Sequence, residues 1–133
     1  MATSMDRQFF VTGRVLLALM FLVSGLAKLA STHVVTSGYV GSDGLPLNTL
    51  YAWAFGIAEA LVALLLAIGY RVPIMASTLA VFVLLTNFLF HRFWAFEPEF
   101  QFAQQVLFTK NLALLGGLIS IAASAHAGVA ARA

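Results

Sequence analysis

Four apolar stretches, each close to the length that crosses a bilayer, constrain this chain more than any other feature of its sequence. They run from about Phe9 to Leu29, Leu50 to Gly69, Pro73 to Phe90 and Val106 to Ala123. A transmembrane helix needs ~20 mainly apolar residues to cross a hydrocarbon core of ~30 Å. Because lipid offers no hydrogen bonds to an exposed backbone, such segments are helices. The sequence therefore predicts an all-α, four-helix transmembrane bundle.

The composition leaves too few charges for a surface covered by water. Of the 133 residues, 62% are hydrophobic and 9% are charged, whereas soluble domains carry about 25% charged residues. We therefore expect the whole chain, 1–133, to be a single membrane domain in contact with the lipid bilayer. Its seven Lys and Arg residues are scattered singly, so nucleic-acid binding is disfavoured.

The link between the second and third segments is short enough to predict an antiparallel hairpin. It runs only from Tyr70 to Pro73, and Pro73 suits the first turn of a helix. Four spans would put both termini on one side of the membrane. That side carries slightly more basic residues than the other, which predicts cytoplasmic termini. These residues are Arg7, Arg14, Arg71 and Arg132. The first segment is longer than the apolar region of a signal peptide, so we expect a transmembrane helix there.

Two longer loops are expected at the opposite side. The loop from Ala30 to Thr49 is rich in glycine, and residues 32–39 could form a short interfacial helix. The loop from His91 to Gln105 carries a group of aromatic residues: Phe93, Trp94, Phe96, Phe100 and Phe102. These rings are interpreted either as a belt at the headgroup level or as a lid over a lipid-soluble ligand. Pro98 could begin an interfacial helix, and the Ala-rich tail 122–133 is expected to be the frayed end of the fourth segment.

Glu59 lies within the second segment, roughly 13 Å along a helix from its start at ~1.5 Å per residue. A carboxylate in mid-membrane costs at least ~2.5 kcal/mol unless something pairs with it. Lys28 ends the first segment at the same side of the membrane and is the best candidate partner. The pair requires the lysine to bend inward, and the alternative is that Lys28 snorkels to the headgroups.

Helical spacing orders the polar and small residues of the first two segments. In the first, the residues that share one face are Arg14, Ala18, Phe21, Gly25 and Lys28. This face is expected to point into the bundle, with snorkelling as the alternative for Arg14. In the second, a stripe of small residues permits close helix contact: Ala52, Gly56, Ala60, Ala63 and Ala67.

The third and fourth segments add four more polar candidates. Asn87 and His91 are four residues apart and share a face, and Lys110 and Asn111 begin the fourth segment. Together with Lys28 and Glu59 they predict a polar cluster that opens to one side of the membrane. His91 could pass protons or hydrogen-bond a carbonyl, or it could bond to a headgroup or a loop. The two asparagines could equally serve only to join helices.

Several cofactors are disfavoured by what the sequence lacks. It contains no cysteine, so thiol–disulfide chemistry, iron–sulfur clusters and thiolate metal sites are excluded. His33 falls in a loop and His126 at the opposite end, so His91 has no second histidine at its depth and haem is disfavoured. A metal site of His91 and Glu59 would be incomplete, and we expect no metal.

An ordered set of motifs resembles the DoxX family over nearly the whole chain, in particular its YqjF-type members. The motifs are Gly13 to Lys28 (GRVLLALMFLVSGLAK), Gly44-Leu45-Pro46, Glu59, Phe88 to His91 with Phe93-Trp94, and Lys110 to Gly117 (KNLALLGG). The resemblance implies a bacterial inner-membrane protein. The family is named from a subunit of a thiosulfate:quinone oxidoreductase, and other members are linked to membrane oxidoreductase assemblies.

The resemblance implies a subunit of, or an accessory to, a quinone-linked oxidoreductase with partner subunits in the membrane. Lys28 and His91 would then hydrogen-bond quinone carbonyls, and Glu59 would donate a proton or balance charge. Two alternatives stay open. The chain could be a non-enzymatic carrier of protons or small solutes or an assembly partner, or its polar cluster could only hold the helices together.

Overall fold

The structure, a computed structural model, describes residues 3–30 and 49–126, with side chains from residue 53 onward in the second range. Within these ranges it contains four α-helices: α1 (Ser4–Ala30), α2 (Thr49–Ile68), α3 (Val72–Phe90) and α4 (Pro98–His126). A short 3₁₀ helix, Phe93–Ala95, lies between α3 and α4. The prediction of an all-α four-helix bundle is confirmed. The helix expected at 32–39 and the tail beyond His126 lie outside the described residues.

Helices α2 and α3 begin and end within one residue of the predicted bounds, whereas α1 and α4 begin earlier. At the start of α1, the Asp6 carboxylate accepts hydrogen bonds from the N–H and the hydroxyl of Thr3, at 2.7 and 2.8 Å. The Asp6 N–H donates back to Thr3 Oγ1, which completes a capping box. A helix does begin at Pro98, as predicted, and it continues without a break into the apolar segment as the single helix α4.

A tight turn joins α2 to α3. Gly69 has φ +86°, and the N–H of Tyr70 donates to the carbonyl of Leu65 at 2.9 Å. This Schellman ending favours glycine because a left-handed residue with a Cβ is strained. Arg71 follows with φ 40°, and Pro73 lies in the first turn of α3. The turn makes α2 and α3 the antiparallel hairpin that the sequence predicts.

Antiparallel neighbours give the bundle two distinct ends. We call the end with residues 69–71 the hairpin end, and the end with Ala30, Phe90 and Pro98 the cavity end. Three stretches are long and apolar enough to span a membrane: Ser4–Ala30, Val72–Ala95 and Pro98–His126. Helix α2 contributes a shorter apolar stretch among the described residues, Trp53–Ile68. The chain is therefore a multi-pass membrane protein, with the start of α1 and the end of α4 both at the hairpin end.

The helices form two closely packed pairs, α1 with α2 and α3 with α4. In the first pair the backbones touch, since a Cβ placed on Gly25 would lie 2.7 Å from the carbonyl oxygen of Gly56. The two pairs meet in an apolar core that lies towards the hairpin end. The most deeply buried core residues are Ala18, Ala63, Leu66, Ala76, Leu79 and Leu118. Packing between the pairs is looser towards the cavity end, where the polar residues lie.

Candidate functional site

Lys28 and Glu59 form an ion pair inside the bundle. Lys28 Nζ lies 2.6 Å from Glu59 Oε2 and donates a second hydrogen bond, of 2.7 Å, to Ser24 Oγ. The Glu59 side chain is 3% exposed and the Lys28 side chain 14%. The lysine therefore bends inward, and the alternative that it snorkels to the headgroups is wrong for this structure.

Helix geometry explains why this lysine points inward. Helical side chains lean towards the N-terminus of their own helix, which for α1 is towards the hairpin end. Lys28 therefore passes Ser24, one turn deeper, before it meets Glu59. Gly56 leaves room for this path, because a Cβ placed there would lie 3.2 Å from the Cβ of Lys28. The close contact of α1 and α2 thus sets the ion pair at its depth.

Asn87 and Asn111 join α3 to α4 beside the ion pair. The amide of Asn111 donates to Asn87 Oδ1 at 3.1 Å, and the amide of Asn87 donates to the carbonyl of Phe108 at 3.3 Å. Asn87 is 1% exposed, so these bonds satisfy a fully buried amide. Asn87 therefore hydrogen-bonds α3 to α4, which was one of the two interpretations of this residue.

His91 lies just after α3 and is held by a residue that the sequence analysis missed. Its Nδ1 lies 2.9 Å from Oε1 of Gln104 on α4. Because a carbonyl oxygen only accepts, this contact places the ring proton on Nδ1 and leaves Nε2 as an acceptor. The segment before the fourth apolar stretch was predicted as a loop, so Gln104 could not be assigned to a helix face.

A cavity of about 110 Å³ brings most of the candidates together. Its polar lining consists of Ser24, Lys28, Glu59, Thr86, His91, Lys110 and Asn111, and its apolar lining of Met20, Phe21, Phe82, Leu107 and Leu114. The cavity is partly open, and all four helices contribute to its wall. Five of the predicted residues line it, Asn87 supports one of them, and Ser24 and Thr86 are additions. Serine and threonine are common in membrane helices, so only their spacing from Lys28 and His91 could have indicated them.

Arg14 lies apart from this cavity, at the hairpin end. It is 8% exposed, and its Nη2 donates to the carbonyl of Ala67, in the last turn of α2, at 3.4 Å. A cation there is favoured by the partial negative charge of the helix C-terminus. Its guanidinium also lies 6.0 Å from the ring of Phe10 and against Gly69. The Arg14 guanidinium therefore lies against the C-terminal end of α2 in the described structure.

The aromatic residues after α3 pack on α4 and do not line the cavity. Phe93 and Trp94 lie edge-on to the ring of Phe108, at centroid distances of 5.6 and 5.8 Å. Phe88 contacts the same ring at 5.6 Å. Among the described residues, the cavity lining includes none of these rings. The arrangement favours the interpretation as an aromatic belt over that of a lid.

Fold and site together define a multi-pass helical membrane protein with a polar cavity in one half of its bundle. Within the described residues, no three His, Cys, Asp or Glu side chains are grouped closely enough to hold a metal ion. The family model of DoxX matches residues 9–92, and the chain belongs to the DoxX family. Lys110 and Asn111 lie beyond the matched range. Comparison with curated proteins and with solved structures gave no match.

Proposed function

We propose that this chain is an accessory membrane component that binds a small polar ligand within the bilayer, at a site reached from one side. The observation that carries the proposal is the cavity of about 110 Å³ beside the Lys28–Glu59 pair. Ionisable residues inside a membrane domain are costly and usually mark a ligand or ion site. Here they converge with hydrogen-bonding groups from all four helices.

Access from one side follows from the packing below the cavity. Towards the hairpin end the space between the helices is filled by side chains at most 1% exposed: Ala18, Ala63, Leu66, Leu79 and Leu118. A carrier of protons or solutes would need this apolar layer to open, because it offers no hydrogen-bonding side chain. The packing therefore supports binding over transport.

The size of the cavity favours a ligand smaller than a quinone. Its hydrogen-bond donors suit a carbonyl oxygen, but an engineered cavity that holds benzene measures about 150 Å³, and sites for drug-sized ligands are roughly 300–1,000 Å³. At about 110 Å³, this cavity is smaller than either. The proposed link to a quinone-linked oxidoreductase in the bacterial inner membrane thus rests on family resemblance, and we assign the cavity a smaller ligand.

The test compares two probes on the purified full chain in detergent. Saturation-transfer NMR should show binding of formamide, a small polar molecule, and none of a short-chain benzoquinone. Ser24→Leu fills the cavity and should abolish formamide binding, whereas Ser77→Leu, at an exposed serine of α3, should not. Formamide binding that survives in Ser24→Leu would refute the site. Quinone binding that is lost in Ser24→Leu would instead identify a quinone as the ligand of the cavity.

A further inference from the structure

The charges around the cavity do not balance. Lys28 and Lys110 contribute two positive charges and Glu59 contributes one negative charge, so the lining carries a net charge of +1 with His91 neutral. Lys28 and Glu59 neutralise each other at 2.6 Å. The excess charge is therefore that of Lys110.

Among the described residues, Lys110 has no hydrogen bond and no ion pair. Asn111 is bonded to Asn87, and His91 to Gln104. A lysine within a spanning helix is costly without a partner or access to water. Lys110 is an exposed residue at the cavity wall, so a ligand in the cavity can reach its ammonium.

Unused hydrogen-bond donors lie near Lys110, together with one acceptor of the lining, Nε2 of His91. An ammonium carries three N–H donors, and among the described residues Lys28 uses two of them, for Glu59 and Ser24. The Asn111 amide carries two, and one is used for Asn87. The volume corresponds to three or four water molecules at about 30 Å³ each. A ligand that matches this site has three or four non-hydrogen atoms and accepts hydrogen bonds.

We propose that the cavity binds a small soluble monoanion, of the size of formate or nitrate, whose charge is neutralised by Lys110. This inference rests on the proposed function, because it names the chemical class of the ligand at the same site. One negative charge balances the cavity, and the donors of Lys28 and Asn111 complete the coordination of the anion.

Formate and formamide make the test sharp, because they have the same shape and differ in charge. Saturation transfer to the C–H proton of each is measured with the full chain in a non-ionic detergent and a halide-free buffer. Formate should bind more tightly than formamide. Lys110→Gln should weaken formate binding by about tenfold, the loss expected for one charge-assisted hydrogen bond. Lys110→Arg should retain it.

Arg71→Gln is the matched control, since it removes one positive charge from an exposed residue at the hairpin end. It should leave formate binding unchanged. Equal weakening in both variants would show that formate senses only the overall charge, and would overturn the proposal. Formamide binding without formate binding would overturn the anion but preserve the proposed function. Failure of both probes to bind would refute both.

A lipid phosphate is the other source of an anion for Lys110. Phosphatidylglycerol, added at a few molecules per chain, should not displace formate from a site for a soluble ligand. Displacement at that ratio would identify a headgroup as the partner of Lys110 and would overturn the proposal for a soluble anion.

Discussion

The direction of a single side chain, that of Lys28, decides where charge lies in this bundle. Because it leans back along α1, its ammonium meets Glu59 inside the protein instead of the headgroups. The same rule of helix geometry applies to Arg14, whose guanidinium reaches the end of α2. Each basic side chain of the α1 face thus meets an acceptor on α2, and that face belongs to the interior.

The ion pair makes a prediction for stability. Glu59→Gln should lower the free energy of unfolding by about 2 kcal/mol, because it leaves the Lys28 ammonium buried without a counter-charge. The loss is smaller than the about 3–5 kcal/mol of a fully enclosed pair, since Lys28 is 14% exposed. The double variant Lys28→Met, Glu59→Gln should recover much of the loss.

Thermal unfolding of the two single variants and the double variant in detergent measures this coupling. Additive effects of the two substitutions would show that the groups do not interact. A loss of stability in Glu59→Gln with unchanged formamide binding would instead support a cluster that only holds helices together.

Residue type and depth made this pair the best candidate from the sequence, with snorkelling of Lys28 as the alternative. A carboxylate far inside an apolar segment needs a partner, and Lys28 was the cation at the right side of the membrane. The contact of His91 with Gln104 was not predicted, because it depends on where α4 begins. A glutamine carries no charge that would require a partner inside the membrane. The contact of Gln104 with His91 therefore follows only from its position in α4, which the structure gives.

At the scale of the helices, the contact of α1 with α2 depends on two glycines. A Cβ on Gly25 would lie 2.7 Å from the carbonyl oxygen of Gly56 and 2.8 Å from the backbone nitrogen of Ala60. Neither atom can move without its helix, so a larger residue must separate the helices. The small-residue stripe of α2 predicted close packing, although only the structure identifies the partner residue on α1.

Gly25→Ala should therefore destabilise the chain by about 1–3 kcal/mol, the range for overpacked interiors. Gly116→Ala on α4 is the control, because a Cβ there would meet nothing within 4 Å. It should stabilise by about 0.5–1 kcal/mol, since alanine is the better helix former. Thermal unfolding measures the stability of both variants, and equal changes in stability would contradict the close contact of α1 with α2.

The starts of the helices show a limit of prediction from hydropathy. Apolar length located α2 and α3 well because short turns bound both, whereas α1 begins at the Thr3–Asp6 capping box, ahead of its apolar stretch. The pattern Thr-x-x-Asp was readable in the sequence. Likewise, α4 begins at Pro98, within the segment placed outside the fourth apolar stretch, and the proline was the signal for this start.

At the scale of the whole molecule, the chain combines a tight half and an open half. The absence of native cysteine allows this to be tested directly with single cysteine variants. Thr86→Cys, at the cavity wall, should react with a small membrane-impermeant thiol reagent added to one face of sealed vesicles. Ala63→Cys, in the apolar layer, should react from neither face.

Tyr70→Cys, in the exposed link at the hairpin end, should react from the opposite face and so reports the orientation. If the termini are cytoplasmic, as the basic residues suggest, Tyr70→Cys reacts from the cytoplasmic face. Reaction of Thr86→Cys from both faces would refute a cavity that opens to one side.

The short link of residues 69–71 has a mechanical consequence. It connects the two helix pairs at the end where their core packing is also concentrated. If one helix pair rotated against the other about this point, the two pairs would separate, and their displacement would increase along the helices towards the cavity end. At Glu59, ten residues or roughly 15 Å from the pivot at ~1.5 Å per residue, a tilt of about 5° amounts to ~1.3 Å, reached without breaking the contact within either pair. Such a rotation would change the volume of the cavity from a pivot at the opposite end of the bundle.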